Sequence, residues 1–477
     1  MKWSRYNNLF HSDRFGHFLY NALSNTLFEL DSNYYQILKN MDSDHPQISD
    51  QENTEFQDLL YQKYVFVDPV QEEKVLLAQQ YQRHAASFDA STLNLAICPT
   101  LGCNFRCPYC FESSQQDKTV MTSETADQLI NWVKGFQNIP ALTVHWYGGE
   151  PLLAFDEICH LTRKLQTLDF KYEKNGIVTN GYLLDKDKIA ELNNLNIDYL
   201  QITLDGPREV HDRRRMLSGG GPTFDRILKN IATLMDSDYA GYCIIRVNID
   251  KSNSEGFPEL RKTLMDRFKG AKFSVYPGHV DTSVSSSYDS SYCLTMNEWI
   301  DFNLDMYQKY SVLPSGGFHP GGMGTRCLAS WHNGFVISPE GELYKCLNDV
   351  GMPSMVIGNI NYQDYITDPG LRAQYSTALD VYNDPECRSC HVLPICGGGC
   401  PNVRLRSKCY GEEGLIYCTR FRDRLFDYLE AYIDFFRTKE ICAALTNLGG
   451  TKPENKGYRI ISPSNGQKQE MLVPKSW

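Results

Sequence analysis

Strand-like and helix-like segments alternate from about residue 91 to about residue 300, and this alternation constrains the possible fold more than any other feature. Repeated strand–helix units form a parallel sheet with helices outside it, and right-handed crossovers curl six such units into a partial barrel. The predicted strands are 93–100, 141–147, 177–179, 199–204, 242–249 and 273–276, and the predicted helices are 124–136, 155–165, 185–195, 224–235 and 257–268. We therefore predict an α/β fold with ligands at the carboxyl ends of the strands.

Three cysteines follow the first predicted strand. Cys103, Cys107 and Cys110 have the spacing C-x3-C-x2-C, so one short loop offers three thiolates to a [4Fe–4S] cluster. Electron-transfer clusters usually have four cysteine ligands, and a cluster with three leaves one iron open to another ligand. The alternatives are a zinc knuckle and a chance grouping.

Polar loops also follow the later strands. Two glycines and Glu150 follow the second strand; glycines allow a close backbone approach, and a carboxylate accepts hydrogen bonds from a cationic amine. The candidate residues in these loops and just beyond them are Gly148, Gly149, Glu150, Pro151, Thr179, Asn180, Thr203, Asp205 and Arg215. Because the carboxyl ends of parallel strands face one way, we expect these loops to meet at one mouth.

The cysteine loop and the G-G-E-P, T-N and D-G-P motifs together resemble those of the radical S-adenosylmethionine (SAM) enzymes. The resemblance implies that the amino and carboxylate groups of SAM bind the open iron, and that residues 148–151 hold the ammonium. It implies ribose or carboxylate contacts for the remaining candidates, with Arg215 facing the carboxylate and Tyr109 lying near adenine. The alternatives are an Asp-Gly turn, a solvated arginine run, and a Tyr109 ring that only packs beneath the loop.

A second array of cysteines lies in the carboxy-terminal part of the chain. Its pattern is C327-x13-G341-x4-C346, then C387-x2-C390-x5-C396-x3-C400, then C418, and this pattern resembles the SPASM extension of radical SAM enzymes. The resemblance implies two auxiliary [4Fe–4S] clusters, an outer one on Cys387, Cys390, Cys396 and Cys418 and an inner one on Cys327, Cys346 and Cys400. The inner cluster is completed by Cys409 or by another group, or one of its irons stays open for substrate. A zinc ribbon is the alternative.

The segment before residue 91 has a different pattern. A hairpin at 17–20 and 26–30, helices at 33–41 and 55–62 and a strand at 64–67 resemble a winged-helix peptide-recognition element. The alternative is a structural cap. The predicted domains are a recognition domain at 1–78, a linker at 79–90, the barrel at 91–315, the SPASM domain at 316–425, and a helix and tail at 426–477.

Composition excludes other classes of protein. The chain has 477 residues and a net charge of −11, which argues against a nucleic-acid binder. No segment has the length of a membrane span, and the amino terminus lacks the apolar region of a signal peptide. Most of the 16 cysteines fall in close groups, which suits metal binding in a reducing cytoplasm rather than disulfides.

The combined motifs resemble those of peptide maturases. The resemblance implies three [4Fe–4S] clusters, reductive cleavage of SAM to a 5′-deoxyadenosyl radical, and hydrogen abstraction from a ribosomally made precursor peptide to install a crosslink. The expected partners are a precursor with a leader sequence and a flavodoxin- or ferredoxin-type reductant. One alternative is a sulfatase-maturing enzyme that forms formylglycine; in that family an Asp follows the cysteine matching Cys346, whereas here Leu347 does and Asp349 is the candidate base. The other is a non-catalytic iron–sulfur electron carrier.

Overall fold

The computed structural model describes residues 1–41, 54–112, 118–136, 138–280, 288–314, 316–321, 327–419, 421–446 and 457–461. The strands are β1 (Lys2–Trp3), β2 (Asn7–Ser12), β3 (Gly16–Asn21), β4 (Thr26–Leu30), β5 (Phe66–Val67), β6 (Thr92–Ile97), β7 (Ala141–Trp146), β8 (Lys171–Thr179), β9 (Tyr199–Thr203), β10 (Tyr242–Ile249), β11 (Phe273–His279), β12 (Gly334–Ile337), β13 (Glu342–Tyr344), β14 (Gly358–Asn359) and β15 (Tyr458–Ile460). The helices are α1 (Ser32–Lys39), α2 (Thr54–Gln62), α3 (Pro69–Ser87), α4 (Ser123–Lys134), α5 (Phe155–Leu165), α6 (Lys186–Glu191), α7 (Arg208–Arg214), α8 (Phe224–Met235), α9 (Phe257–Arg267), α10 (Met296–Tyr310), α11 (Pro369–Ala373), α12 (Pro385–Arg388), α13 (Pro401–Tyr410) and α14 (Phe421–Thr446).

Within the described residues the main sheet has nine strands, in the order β11-β10-β9-β8-β7-β6-β12-β13-β14. The six strands from β6 to β11 are parallel and lie in chain order. This arrangement confirms the predicted α/β fold with a parallel sheet. The sequence did not reveal that the sheet continues beyond β6 through β12, which is parallel to it, and through the antiparallel strands β13 and β14.

The strand register gives the sheet two different faces. A row of paired residues crosses one face beneath the helices, and all of them are buried and apolar: Ile97, Trp146, Ile177, Leu200 and Cys243. The adjacent row on the other face runs through His145, Gly176 and Tyr199. The apolar row supports the packed layer of helices, and the polar face is the inner wall of the partial barrel.

Capping residues explain where two of the helices begin. The Thr122 side chain accepts a hydrogen bond from the Thr125 N–H at 3.1 Å, so Thr122 is the N-cap of α4. Asp68 caps α3 through the Gln71 N–H at 2.7 Å, and Pro69 occupies the first helical position. The helix α3 therefore begins well before residue 79, where we predicted a linker to start.

The amino-terminal part forms a second sheet together with the carboxy-terminal strand, in the order β15-β4-β3-β2. The predicted hairpin is present as β3 and β4. In β15, Ile460 lies opposite Phe28 and Tyr458 opposite Leu30. The hairpin therefore has no free edge for a docked peptide, because β15 pairs with β4 and β2 pairs with β3. In the described part of the chain, β2 forms the other edge.

The two ends of the chain also share a hydrophobic core. Phe18 and Tyr20 from the amino-terminal sheet are fully buried in one cluster with Leu393, Tyr428 and Leu429. The amino-terminal sheet is therefore packed against the carboxy-terminal cysteine region and α14. Among the described residues, no helix has both the length and the apolar character needed to cross a membrane.

Candidate functional site

The cysteine loop lies at the carboxyl end of β6 and is partly buried. Burial, together with negative charge on neighbouring groups that include Cys107, raises the pKa of the Cys103 and Cys110 thiols to about 12 in each case. Arg215 opposes this effect at Cys107. Three close, buried thiolates repel one another, so the loop can hold all three only when positive charge is supplied, as iron would supply it. This donor set fits a cluster.

Gly148 and Gly149 lie directly against the cysteine loop. A Cβ atom on Gly148 would lie 2.3 Å from the Thr100 carbonyl oxygen, and one on Gly149 would lie 2.4 Å from the Leu101 and Gly102 carbonyl oxygens. The Glu150 N–H also donates to the Gly102 oxygen at 2.9 Å. The two glycines therefore allow the β7 loop to pack on the chain's own cysteine loop, a contact that the sequence did not reveal. Pro151 begins the short 3₁₀ turn that follows.

Glu150 is fully buried, and burial raises the pKa of its carboxyl group. It accepts hydrogen bonds from the Thr179 hydroxyl at 2.6 Å, the Asn180 N–H at 2.7 Å and the Leu152 N–H at 3.0 Å. A carboxylate has about four acceptor sites, so three donors leave room for one more, such as an ammonium group. Thr179 and Asn180, predicted as SAM contacts, thus lie beside Glu150 and hold it in place.

Asn180 links this site to the cysteine loop. Its Nδ2 donates to the Asn104 Oδ1 at 2.7 Å, and Asn104 directly follows Cys103. Asn104 was not among the predicted site residues. The carboxyl ends of β6, β7 and β8 are therefore tied together through Asn104, Glu150 and Asn180, as expected for loops that meet at one mouth.

A second network joins Tyr109 to the end of β9. The Tyr109 hydroxyl donates to Asp205 and accepts from Arg215 at 2.8 Å and from Asn248 at 3.2 Å. The backbone N–H of Asn248 donates to the other Asp205 oxygen at 3.0 Å. Three predicted SAM contacts are thus brought together, although here they bond to one another. The Arg215 Nε is buried and has no acceptor among the described residues, so an anionic ligand group such as a carboxylate can accept a hydrogen bond from it.

Arg214, which sequence reasoning missed, also belongs to this network. Its guanidinium lies over the Tyr109 ring, 4.9 Å from the centroid, and forms ion pairs with Asp205 and Asp250. The sequence shows a run of three arginines at 213–215, but it does not show which of them belong to the network. In the structure, the Arg213 Nε donates to the Glu209 carbonyl within α7. These contacts fix the position of Tyr109 within the cysteine loop.

The inner wall of the sheet is polar beneath this mouth. The Tyr276 hydroxyl donates to the Gln201 Oε1 at 2.9 Å, and the Arg246 Nε donates to the Asn248 Oδ1 at 2.8 Å. Thr203 is buried and pairs in register with Arg246. Burial also lowers the pKa of His145 to about 3, so this side chain is neutral. The wall offers hydrogen bonds and one cation to a bound molecule.

The four cysteines of the predicted outer set line one cavity in the carboxy-terminal part. Two arginines donate to their sulfurs, Arg404 to Cys387 at 3.4 Å and Arg422 to Cys418 at 3.2 Å. Gly399 has a φ of +74°, and a Cβ on it would lie 1.5 Å from the Tyr417 carbonyl oxygen. Glycine is needed there so that the segment before Cys400 can pack closely against the segment before Cys418.

The predicted inner set is also brought together. Burial raises the pKa of Cys346, and negative charge on Asp349, Cys327 and Cys400 adds to the effect, so the three thiols are close enough to interact electrostatically. Cys409 is exposed at the far end of α13, and nine residues of helix separate it from Cys400 by about 13 Å. Cys409 is therefore poorly placed to complete the inner set.

Asp349, the candidate base, lies beside the inner set. It accepts hydrogen bonds from the Tyr375 hydroxyl and the Asn402 Nδ2, both at 2.6 Å, and burial raises its pKa to about 6. Both donors belong to the carboxy-terminal part of the chain and not to the wall of the parallel sheet. In the described ranges, no three His, Cys, Asp or Glu side chains converge as ligands of a single metal ion do. The ligands of a four-iron cluster each bind a different iron and stand further apart.

Comparisons with known proteins agree with this geometry. The family model for the radical SAM superfamily matches residues 97–264, a span that contains the cysteine loop and the strand-end motifs. A serine-type anaerobic sulfatase-maturating enzyme of Bacteroides thetaiotaomicron is 25% identical over 374 residues, covering 70% of this chain and 88% of that protein. An uncharacterized protein of Methanothermobacter thermautotrophicus is 30% identical over 221 residues, covering 46% of this chain and 79% of that protein.

The fold has solved relatives as well. The structure of native anSMEcpe with bound AdoMet and the Kp18Cys peptide has a TM-score of 0.55 and 22% identity, and the match covers 75% of this chain and all of that one. The likeness concerns the fold, including its parallel sheet. Together with the sequence match across the cysteine loop, the Glu150 site and the Tyr109 network, it shows that this chain is an enzyme of the radical SAM superfamily.

Proposed function

We propose that this enzyme modifies a peptide, using SAM bound at the mouth of the parallel sheet and two auxiliary clusters in a SPASM domain. Glu150 carries the proposal most directly, because it is a buried carboxylate with three donors and room for a fourth, beside three cysteines. Cys103, Cys107 and Cys110 would hold the first cluster and Glu150 the ammonium of SAM. When bound and reduced, the cluster and SAM supply a radical that removes hydrogen from the substrate.

We propose a ribosomally made precursor peptide as the substrate and an intramolecular crosslink as the product. The match to the Bacteroides enzyme leaves 30% of this chain outside it, so the chain has room for a function those relatives lack. The amino-terminal sheet supports leader binding, because an extended peptide can add to the edge strand β2 through main-chain hydrogen bonds. Tethering by the leader then raises the concentration of the core peptide near the site.

Other parts of the proposal concern the reductant and the compartment. A flavodoxin- or ferredoxin-type protein would supply single electrons to the clusters. The fifteen cysteines whose side chains the structure describes are free, which suits a reducing cytoplasm. The acidic net charge of −11 supports a substrate other than nucleic acid.

Formylglycine formation is the second candidate, and the sulfatase-maturating relatives favour it. Leu347 follows Cys346 where that family has an Asp, and Asp349 is held by Tyr375 and Asn402. These residues favour the crosslinking reaction. A non-catalytic electron carrier would have no use for the Glu150 site.

The test separates the two reactions by their products. Reduced enzyme and SAM are incubated with precursor peptides encoded near the gene and, separately, with sulfatase peptides containing the target Cys or Ser. A crosslink removes two hydrogen atoms and leaves no aldehyde, whereas formylglycine is trapped by a hydrazide reagent. We expect the first result with a precursor peptide. An aldehyde on the sulfatase peptide, with no change in any precursor, would replace the proposal with the second candidate.

The docking site is tested in the full chain, because the first ninety residues share a core with the rest. A photoreactive residue is placed at His11 on β2, and a matched one at the exposed Tyr362 in the carboxy-terminal part. We expect labelled precursor to crosslink at position 11 and not at position 362. Phe28→Pro is unsuitable as a test, since Phe28 pairs with Leu19 and Ile460 and proline would disrupt the protein's own sheet.

A further inference from the structure

The sulfurs of the outer cysteine set receive hydrogen bonds from two arginines that enter from different directions. Arg404 comes from α13 and Arg422 from the start of α14. Their Nη1 atoms lie 3.4 Å from the Cys387 sulfur and 3.2 Å from the Cys418 sulfur. Two of the four cysteines thus have a cationic donor, while among the described contacts the sulfur of Cys396 receives only the Gly398 backbone N–H, at 3.3 Å.

The two arginines are held with different strength. Arg404 is buried; its Nη2 donates to Asp384 at 2.6 Å, and its guanidinium lies 5.0 Å from the centroid of the Tyr417 ring. Asp384 in turn caps the short helix that carries Cys387. Arg422 is exposed and donates to the sulfur of Cys418. Arg404 is therefore part of the local structure, whereas Arg422 can be replaced with little cost to folding.

Hydrogen bonds and positive charge at cluster sulfurs favour the reduced cluster, because reduction adds one electron and no proton to the iron–sulfur core. We propose that Arg404 and Arg422 raise the reduction potential of the outer auxiliary cluster, so that it accepts an electron more readily than a cluster with only backbone donors. The two arginines are positioning residues that act through the cluster. This inference rests on the proposed outer cluster.

Arg388 provides a matched control. It follows Cys387 directly and carries the same charge, but it donates to Glu73 at 2.8 Å and to the Tyr382 carbonyl, and to no sulfur. Replacing Arg388 by glutamine therefore removes one charge from this region without removing an N–H···S bond. Replacing Arg422 by glutamine removes both.

The experiment is an anaerobic redox titration of the full enzyme with dithionite, followed by electron paramagnetic resonance of the reduced clusters. We expect Arg422→Gln to keep the wild-type iron content and to make one of the potentials more negative, by on the order of a tenfold change in the reduction equilibrium, which is about 59 mV for one electron. Arg388→Gln should shift that potential by much less, and Arg422→Lys should recover part of the difference.

Two results would overturn the inference. One is an unchanged set of potentials in Arg422→Gln, and the other is an equal shift in Arg388→Gln, which would make the effect one of general charge. A wild-type enzyme with iron for one cluster only would instead refute the proposed auxiliary clusters. Iron content and potential therefore separate the failure of this inference from the failure of the proposed function.

Discussion

Replacing Gly399 by alanine should remove the outer cluster, and the reason lies in two features of its backbone. Gly399 has a φ of +74°, which costs a residue with a side chain about 1–2 kcal/mol. The new Cβ would also lie 1.5 Å from the Tyr417 carbonyl oxygen, and real Cβ contacts are not shorter than 3.0 Å. The segments that carry Gly399 and Tyr417 must therefore separate by roughly 1.5 Å. Tyr417 directly precedes Cys418, so this movement displaces an outer ligand.

Iron and sulfide analysis of anaerobically purified protein measures the effect. We expect the variant to lose about four of about twelve irons per chain, since each full cube holds four. Its melting temperature should also fall, because cluster binding contributes to folding. Gly397→Ala is the matched control in the same glycine run, since a Cβ there meets nothing within 4 Å. Equal iron contents in the two variants would refute the reasoning.

Three further predictions concern single side chains. Glu150→Ala should weaken SAM binding, measured by equilibrium dialysis, and leave the iron content unchanged; a loss of iron would mean that the carboxylate mainly supports the loop. Cys409→Ser should leave both the iron content and the spectrum of the clusters unchanged, because Cys409 is exposed and far from Cys400 along α13; missing iron would make it a ligand. Tyr458→Ala should destabilise the protein by about 1–2 kcal/mol in thermal unfolding, because its ring packs 4.5 Å from that of Phe56; a change no larger than that of Tyr362→Ala would contradict this.

The strand–helix alternation was predictable because its signals are local. The predicted bounds of α5, α8 and β10 agree with the structure at both ends, since apolar periodicity marks where each element begins and ends. The meeting of the motif loops at one edge followed from the parallel order of the strands. Glu150 was a candidate because it follows the second predicted strand and can accept hydrogen bonds from an amine, whereas its burial was not predicted.

Contacts between distant residues were not predictable in this way. Asn248 reaches Tyr109 across 139 positions, and no local pattern distinguishes it from other polar residues on β10. The strand β15 has only three residues, and its partner β4 lies at the other end of the chain. The start of α3 could have been found, because Asp68 followed by Pro69 is a typical helix start.

The account depends most on the three-cysteine loop as the site where SAM is cleaved. Anaerobic, reduced enzyme is incubated with SAM, and 5′-deoxyadenosine is measured for the wild type and for a variant with Cys103, Cys107 and Cys110 all changed to Ala. We predict that the wild type forms 5′-deoxyadenosine, and that the variant forms none and loses about one third of its iron while keeping the rest. No 5′-deoxyadenosine from the wild type with any reductant or peptide, or equal amounts from the variant, would contradict the account.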